Sequence, residues 1–262
     1  MTKIYYFSGT GNTLWSARKI AALMGGECEL VSIGAEAHFA AKLPAQKSEI
    51  IIEAEKVVLL FPSYAYGLPL IVSRFAKSAV FKTQYAAAFV TFGTSPGGTL
   101  AELARILKKK NIGAMFFGRI PAVENYMAIF GPPSAKTKEK RVTMQAAATE
   151  EAARAVKEGR TNSINTFRPF SGLISLLFSM GAKIFYKYYR VSADCNGCRV
   201  CEKICPVSAI AIKDKRPVFS GKCEHCQGCI NICPQRAIHF GRVNSKTPAY
   251  HHPEISISDL TR

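Results

Sequence analysis

Eight of the nine cysteines fall between residues 195 and 233, in two runs of one pattern. Cys195, Cys198, Cys201 and Cys205 stand in CNGCRVCEKICP, and Cys223, Cys226, Cys229 and Cys233 in CEHCQGCINICP. Both read C-x2-C-x2-C-x3-C-P. Two x2 steps put three thiolates on one tight loop, enough to grip three irons of a cubane cluster, while the fourth Cys enters a short helix leading to the other site. Eight thiols could instead bind two zinc ions as paired C-x2-C knuckles, or form disulfides. Zinc sites separate their pairs by longer spacers and need neither a third Cys nor the Cys-Pro. Disulfides need an oxidising compartment, whereas Met1-Thr2-Lys3 runs straight into an apolar strand with no secretory pattern. Iron–sulfur ligation in the cytoplasm is the expectation.

The two runs are an internal repeat. Adding 28 to the first four cysteines, Pro206, Ala209 and Ile210 gives the second four, Pro234, Ala237 and Ile238. Two similar halves related by a local two-fold are expected, with Ile210 and Ile238 packed between them. Cys28, alone outside this region, reads as a small buried hydrophobe on a strand.

A second chemistry stands at the start of the chain. Lys3–Phe7 is an apolar strand, followed by Ser8-Gly9-Thr10-Gly11-Asn12-Thr13 and an amphipathic helix to about Met24. Backbone N–H groups and hydroxyls there can converge on one anion, which the helix dipole favours. The loop lacks the lysine of a P-loop and the spacing of a dinucleotide fingerprint. Two more loops leave buried strands: Pro62–Pro69 (PSYAYGLP) after Lys56–Phe61, and Phe92–Gly98 after Ala86–Thr91.

The elements that must position these loops alternate. Strands are expected at Cys28–Ile33 and Ile112–Ile120, helices at Leu68–Val80, Thr99–Asn111 and Arg141–Glu158. Gly34–Glu55 is poorly patterned, and Pro121–Lys140 is long and irregular, of the kind that is functional or mobile. The expected division is 1–160, a joining segment 161–191, the cysteine domain 192–242 and a tail 243–262. Phe170–Ala182 is too short and broken to span a membrane and reads first as a packing helix, second as a peripheral amphipathic one. Adjacent His251 and His252 cannot share a helix face, and His225 is expected to tune or shield rather than ligate.

The loop Ser8–Thr13 resembles the phosphate loop of flavodoxins, and the two later loops fall where a flavodoxin needs them. The cysteine runs resemble those of two-cluster bacterial ferredoxins, and the order matches fused flavodoxin–ferredoxin proteins of the EFR type. The resemblance implies an α/β fold, a flavodoxin-like doubly wound five-stranded parallel sheet in the order 2-1-3-4-5, with a small C-terminal α+β bacterial ferredoxin-like domain. It implies FMN held by Ser8, Gly9, Thr10, Gly11, Asn12, Thr13, Ser63, Tyr64, Ala65, Tyr66, Gly67, Thr91, Phe92, Gly93 and Gly98. Tyr64 or Tyr66 would lie along the ring, and Asn125 and Tyr126, in a P-x-N-Y-like stretch, near its face. It also implies two 4Fe–4S clusters with crossed ligands: Cys195, Cys198, Cys201 and Cys233 on one, Cys223, Cys226, Cys229 and Cys205 on the other. One departure is Thr94-Ser95-Pro96, where glycines are more usual.

The chain carries 35 Lys+Arg against 18 Asp+Glu, net +17, divided +9 over residues 1–160 and +8 over the rest. Two clusters and one flavin phosphate would bring this to about +11. Such a charge suits an acidic redox partner, an anionic substrate or a membrane surface. No basic helix or aromatic-interleaved ladder suggests nucleic acid. The leading expectation is an electron carrier between clusters and FMN. The alternatives are an FMN-dependent reductase fed by its own clusters, for which the three loops offer no His or Cys, and a redox-sensing or partner-binding protein. No nicotinamide fingerprint is present.

Overall fold

The computed structural model describes residues 1–35, 50–166, 173–174, 177–178, 180–181 and 184–261. In chain order the first part holds β1 (Thr2–Tyr6), α1 (Asn12–Met24), β2 (Cys28–Ser32), β3 (Ile50–Glu53), β4 (Lys56–Pro62), α2 (Leu70–Ser78), β5 (Ala79–Phe92), α3 (Thr99–Leu107), β6 (Ile112–Pro121), α4 (Met127–Phe130) and α5 (Ala135–Lys157). All pairings in this sheet are parallel. Strands β3 and β4 both meet β5 at an offset of 29, Ile50 facing Ala79 and Lys56 facing Tyr85, so they are one strand broken at Ala54-Glu55. Counting them once, the order is β2-β1-β3/β4-β5-β6, the flavodoxin-like order of a doubly wound sheet.

Alternation along the strands sends side chains to both faces, and both are covered. Tyr5, Phe7, Leu59 and Phe61 pack with Phe75 of α2 and Leu103 of α3. Ile4, Val58 and Leu60 pack on the other face with Ile20 of α1 and Val156 of α5. A parallel sheet buried on both faces is why these strands read as unbroken apolar runs.

Several boundaries differ from the sequence expectation. Ile50–Glu53, inside the poorly patterned stretch, is a strand; residues 36–49 of that stretch lie outside the described residues. Val80 belongs to β5 rather than to the preceding helix, and β5 begins seven residues before the expected Ala86. Its first half alternates, with Phe81, Thr83 and Tyr85 buried and Val80, Lys82 and Gln84 not, a half-buried strand whose period of two was masked by the apolar run after it. The last helix starts at Ala135, six residues early, because Ser134 caps it by accepting from the Thr137 amide. The irregular stretch is thereby shortened, and α4 occupies part of it.

The cysteine-rich part contains β7 (Arg190–Val191), α6 (Val200–Lys203), β8 (Ile210–Lys213), β9 (Arg216–Phe219), α7 (Gly228–Ile232) and β10 (Ile238–His239). Strands β7 and β10 pair antiparallel, as do β8 and β9. The 28-residue repeat extends to the backbone. Left-handed φ recurs at Gly197 and His225, at Arg199 and Gln227, and at Ser208 and Arg236. Ile210 and Ile238 share one apolar cluster with Cys201 and Cys229. The short helices precede the fourth cysteines instead of following them, since the proline after each Cys has no N–H to continue a helix.

Residues 244–261 lie against the α/β part and end in α8 (Ile257–Leu260). Ser256 and Asp259 form a capping box, and Asp259 pairs with Arg18 of α1 at 2.6 Å.

Candidate functional site

The carboxyl ends of β1, β4 and β5 open into one cavity of about 740 Å³. Gly11, at φ 95°, turns the chain from β1 into α1, and Ser8 Oγ accepts from its amide at 3.1 Å. Thr10 Oγ1 accepts a hydrogen bond from Asn125 Nδ2, leaving its own proton free to donate. Thr13 and Thr91 hydroxyls bond each other at 2.8 Å, which consumes one of their two protons. Asn12 is committed elsewhere: its Nδ2 donates to Val123 O at 3.1 Å, and its Oδ1 accepts from the Tyr250 hydroxyl at 2.8 Å. It therefore ties the loop to residues 122–126 and to the C-terminal segment.

After β4, Ala65 and Tyr66 stand at φ 46° and 65°, between Tyr64 and Gly67, whose backbones bond reciprocally at 3.1 and 2.9 Å. Two consecutive left-handed non-glycine residues are costly, and such strain concentrates at binding loops. The turn is held because Gly98 N donates to Tyr66 O at 2.8 Å and Gly97 leaves room for Tyr66; a Cβ there would lie 2.3 Å from the tyrosine Cβ. After β5, Gly93 makes space for Glu124, whose Oε1 accepts from the amides of Asn125 and Tyr126 at 3.0 and 2.9 Å.

Of the residues expected to meet a flavin, Ser8, Gly9, Thr10, Asn12, Thr13, Ser63, Tyr64, Ala65, Tyr66, Thr91, Phe92 and Gly93 line this cavity, as do Asn125 and Tyr126. Gly11, Gly67 and Gly98 shape the turns behind it. The sequence reading did not place Glu124, Phe178, Phe185, His225, Cys226 or Phe240 at this cavity, which they also line. They come from segments far apart in the chain, and no local pattern marks them as neighbours. Two of them bring to the cavity the His and Cys that the three loops lack.

The two cysteine sets are not equivalent. Cys195, Cys198, Cys201 and Cys233 line one small cavity with Ile212, Pro217 and Ile238. Cys205 approaches Cys223, Cys226 and Cys229 closely enough to raise all three thiols. Burial is the main cause, pushing Cys201 and Cys226 up to about 12 and Cys223 to about 11. Thiols buried this way ionise only beside a strong positive centre. In both halves the fourth Cys accepts an amide bond four residues on, Ala209 N to Cys205 Sγ at 3.1 Å and Ala237 N to Cys233 Sγ at 3.3 Å. Among the described residues no group of three or more His, Cys, Asp or Glu side chains converges to hold a single metal ion; the four thiols of the first set instead surround a wider space, as a multi-iron group requires.

The second cysteine loop sits directly on the Ser8–Thr13 loop. A Cβ added to Gly228 would lie 2.8 Å from Gly9 O, and one on Gly9 would lie 2.9 Å from Cys226 O. Glu224 accepts from Leu70 N at 2.9 Å, capping α2, and burial raises its carboxyl to about 7. His225 is enclosed by Tyr189, Phe240, Phe185 and Phe178, with ring centroids 5.3 to 6.2 Å away. By contrast Cys198 is exposed. From the exposed Cys198 the order runs first set, second set, cavity.

No family model matches the chain, and no curated protein does. Among solved structures, the two-electron reduced flavodoxin of Megasphaera elsdenii is 18% identical over 56% of this chain and 98% of its own, with a TM-score of 0.34. A flavodoxin of Streptococcus pneumoniae TIGR4 is 15% identical over 58% of this chain and 98% of its own, TM-score 0.34. The Trp repressor binding protein of Bacillus subtilis is 14% identical over 63% and 100%, TM-score 0.34.

Proposed function

We propose that this chain is an iron–sulfur flavoprotein that transfers electrons between two 4Fe–4S clusters and FMN and exchanges them with a protein partner. The observation that carries this is the seating of the second cysteine loop on the phosphate-type loop, with Cys226 in the wall of the cavity. The donor sets suit the groups. Eight soft thiols in two crossed fours match iron–sulfur ligation, and amide donors to Cys205 and Cys233 would steady the ligands. For FMN, the amides and hydroxyls of Ser8–Thr13 would hold the phosphate, Tyr64 and Tyr66 would flank the ring, and Thr91–Gly93 would meet its edge.

Bound clusters supply one-electron exchange, and bound FMN stores two electrons. The residues arrange the route and exclude water from its inner part. Cys198 opens the first set to a docking partner, while Cys229 and Ile230 are buried where the halves meet. Phe178, Phe185 and Phe240 shield His225 and the second set on the cavity side.

Anaerobic reconstitution tests the reading. It should load about eight irons, eight sulfides and one FMN per chain. Cys233→Ala should remove the EPR signal of the set containing Cys201, and Cys205→Ala the other. Zinc uptake in place of iron, or each motif losing only its own signal, would overturn it.

A second reading, reduction of a small molecule at the flavin, is favoured by Glu124 and His225 on the cavity wall. Salt separates the two. Exchange with an acidic protein partner should slow as salt rises past about 0.1 M, where the screening length is about 10 Å. Turnover of a neutral small molecule should not.

A further inference from the structure

The face above the cavity is apolar where it meets solvent. The described residues of the stretch 173–185 are helical, and a 3-10 turn, Tyr186–Tyr188, follows. Leu173, Leu177, Met180 and Ile184 recur at helical steps of four, three and four, and are 56, 59, 59 and 54% exposed; Tyr188, four further on, is 63% exposed. The other side of the same stretch is satisfied: Phe178 and Phe185 pack edge-on against His225, and Phe178 against Tyr126. Among the described residues of this stretch, Phe178 and Phe185 turn inward and the aliphatic side chains outward. Ile129 and Phe130 of α4, 63 and 55% exposed, line the same cavity as Ile174 and Leu177. Exposed apolar side chains gathered around one cavity in this way mark an interaction surface.

Charge identifies what it meets. From Thr161 to Ala193 the chain holds no Asp or Glu but four cations, Arg168, Lys183, Lys187 and Arg190, of which Lys187 is exposed just beyond the aliphatic row. Arg190 reaches the Gly241 carbonyl at the cavity rim, and Gly241 borders Ala128 beside the exposed Ile129. Exposed aliphatic side chains flanked by Lys187 and Arg190, in a chain of net +17, complement a sheet of anionic headgroups over hydrocarbon. No described helix is long and apolar enough to cross a membrane, so contact is in the plane of the surface. An acidic protein would complement the cations but would leave the aliphatic row against polar surface.

We infer that this face seats the protein on an anionic lipid surface, with Leu173, Leu177, Met180, Ile184, Ile129 and Phe130 in the headgroup–acyl boundary and the cavity mouth turned toward the bilayer. The inference does not depend on which cofactors the chain carries. The seating would deliver lipid-dissolved molecules to the cavity without passage through water.

The full chain, as purified, is mixed with vesicles of phosphatidylcholine alone or with about one third phosphatidylglycerol, and the bound fraction is read after sedimentation. Binding is expected to the anionic vesicles and to be at least tenfold weaker to the neutral ones. Leu177→Ser, on an exposed position, should weaken it by tenfold or more, from the loss of one buried aliphatic side chain. Lys187→Ala should weaken it about fivefold, the effect of one cation near an anionic surface. Unchanged far-ultraviolet circular dichroism shows that both variants remain folded. A chain that stays in the supernatant with anionic vesicles overturns the inference, as does binding that neither substitution alters. So does a concentration-dependent dimer abolished by Leu177→Ser in the absence of vesicle binding, which would assign the face to a second copy.

Discussion

His252 is buried to 0% exposure and stacks on Trp15, ring centroids 4.8 Å apart, while its backbone amide donates to Thr10 O at 2.9 Å. Its Nε2 has no hydrogen-bond partner among the described residues, and burial favours the neutral imidazole. Burial lowers its pKa from 6.5 to about 4, with Glu254 opposing and His251 adding to the shift. For a base whose folded pKa is depressed, the docked state is fully favoured above 6.5 and loses ground as pH falls toward 4, because only the released segment takes up the proton freely. Trp15 is the chain's one tryptophan, so its emission reports this directly. Acidification from pH 7 to 4.5 should quench and red-shift it, and His252→Phe should flatten the titration. An equal transition in that variant would assign the change elsewhere. Gly93 makes a second residue-scale prediction, since a Cβ there would fall 2.2 Å from Glu124 Oε2. Gly93→Ala should displace Glu124 and the amides it orders, weakening FMN binding about tenfold, roughly 1.4 kcal/mol, in a fluorescence titration.

At the scale of elements, α5 is the longest helix among those described and depends on Ser134 at its start. Ser134→Ala should cost about 1 kcal/mol, seen as a fall of about 2–4 °C in thermal midpoint. The sequence reading began this helix at Arg141 and left Ser134 in the irregular stretch, because the lysine-rich first turns hid the helix behind the alanine-rich part. Central strands β4 and β1 were readable because burial on both faces leaves no polar residue to interrupt them. The first half of β5 was not, because its exposed Lys82 and Gln84 look like a helix end. The cysteine repeat was legible because residue spacing is a local property, and the three cavity loops because each follows a strand. What closes the cavity was not legible. Glu124 is placed by Gly93, His225 by aromatic rings from three segments, and Asn12 by Tyr250, pairings set only by the tertiary fold. Element docking is also testable at α7. Gly228→Ala would force its Cβ against Gly9 O, separating the second cysteine loop from the phosphate-type loop. It should lower FMN affinity about tenfold at a cost of one to two kcal/mol while leaving the iron content unchanged.

The molecule as a whole is joined by an apolar cluster that no one part owns. Leu14 and Trp15 of α1, Ile204 and Ile232 of the cysteine-rich part, and Ile255 and Leu260 of the C-terminal segment are buried against one another. Around it run polar ties of the same three-way kind. Asn231 Oδ1 accepts from Tyr250 N at 3.1 Å, and the Tyr250 hydroxyl donates to Asn12. Asn231 Nδ2 donates to Asn125 O at 3.4 Å. Parts linked only by a tether would melt separately, whereas parts sharing a core should melt together. Ile255, 1% exposed, is the member that bridges both, and its side chain abuts Gly11. Ile255→Ala should cost about 2–5 kcal/mol, and the loss should appear in both halves. In scanning calorimetry of the reconstituted chain, a single transition should move down and begin to split. FMN release and cluster bleaching should then start at lower temperature together. An unmoved flavin transition beside an earlier cluster transition would mean that the C-terminal segment belongs to the cysteine-rich part alone, and that the phosphate-type loop stands without it.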